Sequence, residues 1–154
     1  MIENSLSMID KKLLKASVGT IYQQDPFCVE PTTPISEVLN VMRMNSIGSV
    51  LITDANKKLL GIFTERDYLQ KLVPCSDCVD VPVSELMTAN PYAQKVTDSV
   101  AYALNMMSKG GFRHIPLVDD DYTVVGVLSI KDIIDAIMAD IDKTIDEKVL
   151  LLTQ

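Results

Sequence analysis

The chain has 154 residues, 47% of them hydrophobic, and a formal net charge of −7. That length holds one domain, or two small halves sharing a core. The acidic balance and the lack of a basic run exclude broad attraction to nucleic acid. No run of apolar residues is long enough to span a membrane, and Met1-Ile2-Glu3-Asn4-Ser5 lacks the basic-then-apolar order of a secretory signal.

Taken in order, residues 3–16 place Leu6, Ile9 and Leu13 at helical spacing and predict a short amphipathic helix. Asp25-Pro26 breaks the chain before a short strand, Phe27-Cys28-Val29. Thr33 as N-cap and Pro34 at the first helical position predict a helix. Ile35, Val38, Leu39 and Met42 supply its buried face, and Asn45-Ser46 end it. Ser49–Thr53 and Leu59–Phe63 read as buried strands around an Asp54-Ala55-Asn56-Lys57 turn. A second helix is expected over Glu65–Val73, followed by a linker from Pro74 to Pro82.

The same order returns. Strands are expected at Tyr92–Gln94, His114–Val118 and Thr123–Leu128, and helices at Ser99–Lys109, capped by Asp98, and from Ile130 to Ala139. The last helical stripe continues through Ile134, Ile137, Met138, Ile141, Ile145 and Val149, which suggests a homodimer contact. Its polar face carries Asp135, Asp140, Asp142, Asp146 and Glu147, which argues against a membrane surface.

Comparing 26–69 with 91–134 shows a gapless repeat at an offset of 65. Pro26/Pro91, Thr32/Thr97, Leu39/Leu104, Asn40/Asn105, Met42/Met107, Asp54/Asp119, Gly61/Gly126 and Asp67/Asp132 are identical. At its centre stand Gly61-Ile62-Phe63-Thr64-Glu65-Arg66-Asp67 and Gly126-Val127-Leu128-Ser129-Ile130-Lys131-Asp132. Each joins the end of a strand to the start of a helix. Thr64 with Asp67, and Ser129 with Asp132, have the spacing of a capping box, with Asp in place of the usual Glu or Gln. Such a helix start also favours an anion.

The three cysteines, Cys28, Cys75 and Cys78, do not make a disulfide framework. With His114 the only histidine, C-x-x-C at Cys75–Cys78 lacks partners for a zinc site and reads as a linker feature. A reducing, cytoplasmic compartment is expected. No nucleophile elbow, Walker loop or metal-ligand cluster points to catalysis, and Asp119-Asp120-Asp121 reads as a solvated turn.

The two motifs, with Phe112-Arg113-His114-Ile115-Pro116-Leu117-Val118-Asp119 and Val83-Ser84-Glu85-Leu86-Met87-Thr88, resemble a tandem pair of CBS domains, a Bateman module, over about residues 17–140. The resemblance implies an α/β fold of two β-α-β-β-α repeats about a pseudo-twofold axis. Its expected divisions are an N-terminal helix (1–16), repeat 1 (17–73), a linker (74–82), repeat 2 (83–140) and a helical extension (141–154). It implies a non-catalytic regulatory module that binds AMP, ADP or ATP between its repeats and acts on a partner protein; S-adenosylmethionine is a rarer ligand. By the same resemblance Asp132 and Ser129 line one cleft, and Asp67 and Thr64 the other, the aspartates accepting from ribose hydroxyls. Arg113 and His114 stand where family members use basic residues against phosphate, with Lys131 and Arg66 beside the aspartates. Gly48 and Ser49 occupy the corresponding places in the first repeat; they leave room for a ligand but offer phosphate no basic group, so the Asp132 cleft is expected to bind better. A structural dimerisation module without nucleotide, or an enzyme, are the competing readings.

Overall fold

The computed structural model of the protein describes residues 11–23, 25–75 and 77–152. Residues 11–15 are helical; residues 3–10 of the expected first helix lie outside the described part. The elements that follow are β1 (Cys28–Val29), α1 (Ile35–Asn45), β2 (Ser49–Thr53), β3 (Leu59–Thr64) and α2 (Glu65–Asp67), which runs into a π turn over Tyr68–Leu72. Then come β4 (Thr88–Ala89), β5 (Gln94–Lys95), α3 (Val100–Gly110), β6 (His114–Val118), β7 (Val124–Ser129) and the long α4 (Ile130–Leu152). The β-α-β-β-α order therefore occurs twice. One sheet runs β1-β2-β3-β4, the other β5-β6-β7. Among the described residues no helix is long and apolar enough to cross a membrane.

By contact the described residues form two compact units that cut across the sequence repeat, one from 25 to 94 with 115–127 and the other from 11 to 23 with 95–114 and 128–152. The first contains a core with two faces. All five residues of β2 are buried. Val50 and Ile52 pack with Ile35, Val38 and Met42 of α1 and with Phe63. Leu51 faces the other way and packs with Ile62, Val118, Val124 and Val127. A strand buried on both faces cannot alternate apolar with polar, which is why Val50-Leu51-Ile52 is an unbroken apolar run. In the second unit Val100, Ala103 and Met107 form the buried side of α3.

Several expected caps differ. Pro34 is extended (φ −62°, ψ 144°), so it is the N-cap of α1 and makes no side-chain cap. The N–H of Ile35 donates instead to the Val81 carbonyl at 3.0 Å. Tertiary contact satisfies the orphan donor that Thr33 was expected to satisfy. Ser99, not Asp98, caps α3: its hydroxyl accepts from the Tyr102 N–H at 3.2 Å. Asp98 accepts from the Lys95 N–H at 2.9 Å, an earlier turn that engages its carboxylate first. At the other ends of these helices Ser46 (φ 52°) and Gly111 (φ 66°), twins at the offset of 65, both close the helix in the left-handed region.

The helix expected over Glu65–Val73 has only three α residues before its π turn. Strand β4 was not anticipated: Thr88 and Ala89 pair with Ile62 and Gly61. This close approach explains the glycine of the first motif. A Cβ on Gly61 would lie 2.3 Å from the Met87 Sδ and 3.1 Å from the Thr88 carbonyl oxygen. Cys75 and Cys78 are joined by a disulfide with Cα atoms 5.5 Å apart, a pairing not expected from the sequence.

Candidate functional site: two capped aspartates

Both motifs form the expected capping box. At the first, Thr64 ends β3 in extended geometry (φ −126°, ψ 166°), which turns its side chain toward the start of α2. The Thr64 N–H donates to Asp67 Oδ2 at 2.9 Å and the Asp67 N–H to Thr64 Oγ1 at 3.3 Å. Asp67 is buried and collects more donors. The Thr64 hydroxyl reaches Oδ2 at 2.8 Å. On Oδ1, the Thr88 hydroxyl lies at 3.3 Å and the Lys71 ammonium at 2.6 Å. Lys71 also donates to the Leu86 carbonyl at 2.8 Å. The Gly48 carbonyl accepts from the Glu65 N–H at 3.1 Å, which sets Gly48 beside this helix start. Arg66 is exposed.

At the second motif the Ser129 N–H donates to Asp132 Oδ2 at 2.8 Å, and the Asp132 N–H to the Ser129 hydroxyl at 3.2 Å. Asp132 is 7% exposed. Its Oδ1 has no hydrogen-bond partner among the described residues. The position matching Lys71 at the offset of 65 is Ala136, so no ammonium can return along the helix. The Arg113 carbonyl accepts from the Ile130 N–H at 2.9 Å, the counterpart of the Gly48 bond. This places Arg113 beside the first turn of α4. Its guanidinium is exposed and has no partner among the described residues. His114 follows at the start of β6 and is half-buried. Lys131 turns away along the helix and pairs with Asp135, whose carboxylate raises its pKa.

The structure thus brings Thr64 to Asp67 and Ser129 to Asp132, and sets Gly48 and Arg113 at matching backbone positions. Sequence reasoning missed Lys71 and Thr88. Lys71 carried a signal, the i,i+4 spacing from Asp67. Thr88 carried none, because β4 brings it to Asp67.

A family model for the CBS domain matches residues 18–74 and again 83–139. The chain belongs to the CBS domain family. As a CBS pair it is 28% identical, over 81% of its length, to a 17.7 kDa protein of Acidianus ambivalens, spanning 75% of that relative. It spans only 20–25% of longer relatives that include CBS domain-containing proteins of Arabidopsis thaliana and inosine-5′-monophosphate dehydrogenases. Among solved CBS structures, one from Pyrobaculum aerophilum complexed with AMP shares 27% identity and a TM-score of 0.70, over 75% of this chain and 88% of that one. The CBS domain pair of protein MJ0100, in complex with 5′-methylthioadenosine and S-adenosyl-L-methionine, has the same identity and TM-score over 77% of this chain and 92% of that one.

Proposed function

We propose that this CBS pair is a non-catalytic regulatory module that binds an adenosine nucleotide (AMP, ADP or ATP) at Asp132 and passes its state to a partner protein. The observation that carries the reading is the condition of Asp132: buried, fixed by the Ser129 N–H through one oxygen, with the other oxygen open. A carboxylate held this way can accept both ribose hydroxyls as charge-assisted hydrogen bonds without reorganising. The uncommitted Arg113 guanidinium suits a phosphate, and the start of α4 favours the same charge. Lys131, committed to Asp135, contributes at most a second positive charge at longer range. Solved relatives complexed with AMP, or with 5′-methylthioadenosine and S-adenosyl-L-methionine, support an adenosyl ligand.

Ile134, Met138, Ile145 and Val149 of α4 are each more than half exposed, and they support self-association through that stripe. Sedimentation of the full chain as a monomer at micromolar concentration would remove this part of the reading.

Calorimetry tests the ligand. AMP is expected to bind saturably. Asp132→Ala, once shown folded, is expected to lose about thirtyfold to a thousandfold in affinity, from two charge-assisted hydrogen bonds that are not additive. Arg113→Ala is expected to weaken AMP and spare adenosine. Unchanged AMP binding by Asp132→Ala, or equal loss of AMP and adenosine in Arg113→Ala, would refute the assignment.

A further inference from the structure

The two motifs match in sequence but differ in what their carboxylates already hold. An ionised carboxylate offers about four lone-pair positions on its two oxygens. At Asp67 four donors fill them: the Thr64 N–H and hydroxyl on Oδ2, and the Thr88 hydroxyl and Lys71 ammonium on Oδ1. At Asp132 one donor, the Ser129 N–H, is present among the described residues.

We propose that Lys71 and Thr88 determine which of the twin sites takes ligand, by occupying the Asp67 acceptors so that a ribose diol can enter only at Asp132. This rests on the reading of Asp132 as the nucleotide site and adds the stoichiometry: one ligand per chain. Both latch groups are held from elsewhere in the same unit. Lys71 is anchored by the Leu86 carbonyl as well as by Asp67. Thr88 is fixed in β4 by its pairing with Ile62. A diol arriving at Asp67 must displace at least two of these donors, which costs a hydroxyl its acceptor or the Lys71 ammonium its ion pair. A ligand at Asp132 displaces none. The latch departs from the duplication at a single place in the repeat, Lys71 against Ala136, with Thr88 supplied by the segment that follows repeat 1.

The experiment is calorimetric titration of AMP and adenosine into the full chain, the Asp132→Ala variant, and Lys71→Met/Thr88→Val in each background. Met keeps the length of Lys without its charge, and Val keeps the shape of Thr without its hydroxyl. The parent is expected to bind one ligand per chain and Lys71→Met/Thr88→Val two. In the Asp132→Ala background the double change is expected to restore binding at least tenfold, and a further Asp67→Ala to abolish it. Two ligands per parent chain, one of them lost in Asp67→Ala, overturns the latch. So does a single site that persists unchanged in Lys71→Met/Thr88→Val. A parent that binds nothing refutes the Asp132 reading instead; new binding in the latch variant would then still support the latch, and its absence would sink both. If the double variant does not fold, Thr88→Val alone frees one acceptor position, and its failure to raise binding in the Asp132→Ala background counts against the proposal.

Discussion

Removing either aspartate should cost stability, and the two losses should be unequal in a direction the geometry fixes. Asp132→Ala deletes one half of a capping box, the acceptor of the Ser129 N–H, for which about 1 kcal/mol is typical. Asp67→Ala deletes the equivalent cap and removes the acceptor of three further donors, the hydroxyls of Thr64 and Thr88 and the Lys71 ammonium, which keeps the Leu86 carbonyl. Hydrogen bonds to the hydroxyls contribute about 0.5–1.5 kcal/mol each. The Lys71 side chain is 36% exposed, so solvent screening limits its ion pair to about 0.5 kcal/mol. Allowing for non-additivity within one cluster, Asp67→Ala should lose about 2–3 kcal/mol. The assay is urea unfolding of ligand-free protein followed by circular dichroism, read as midpoint shifts at constant m. Equal losses, or a larger loss in Asp132→Ala, would refute the view that Asp67 is saturated by its own chain and Asp132 is not.

Two further outcomes follow from single residues. Gln94 is 1% exposed, and neither of its amide atoms has a hydrogen-bond partner among the described residues. Gln94→Met, close in shape and without the amide, should therefore raise the unfolding free energy by about 1 kcal/mol, and a lowered urea midpoint would contradict this. The Thr123 and Asp121 N–H groups donate to Asp119 at 2.8 and 3.0 Å, and the Thr123 bond is the main cause holding its pKa below the ordinary carboxylate value. A depressed folded-state pKa contributes stability that is complete above the unfolded value, about 3.9, and is lost as pH falls through the folded value. Asp119→Asn should accordingly flatten the acid-side fall of the urea midpoint below about pH 4, and an unchanged slope would show that Asp119 is not among its causes.

The sequence by itself determined the duplication, the β-α-β-β-α order within each repeat and the pairing of Thr64 with Asp67 and Ser129 with Asp132. These depend on local spacing: an apolar run for a doubly buried strand, three residues from N-cap to N3 for a capping box. The long α4 was legible for the same reason, since its apolar positions recur at helical spacing from Ile134 to Val149. What the tertiary structure alone decided is what meets those local elements from a distance. Val81 takes over the start of α1 from Thr33 because a carbonyl far along the chain arrives at the Ile35 N–H. At Gly61 a Cβ would press on the Thr88 carbonyl, 3.1 Å away, because β4 pairs there. The inequality of the two aspartates has the same origin. The sequence suggested it from Arg113 and His114 against Gly48 and Ser49, but the carboxylates themselves looked alike. A motif fixes which donors its own residues offer, while Thr88 and the Leu86 carbonyl reach Asp67 and Lys71 only through the pairing of β4 with β3.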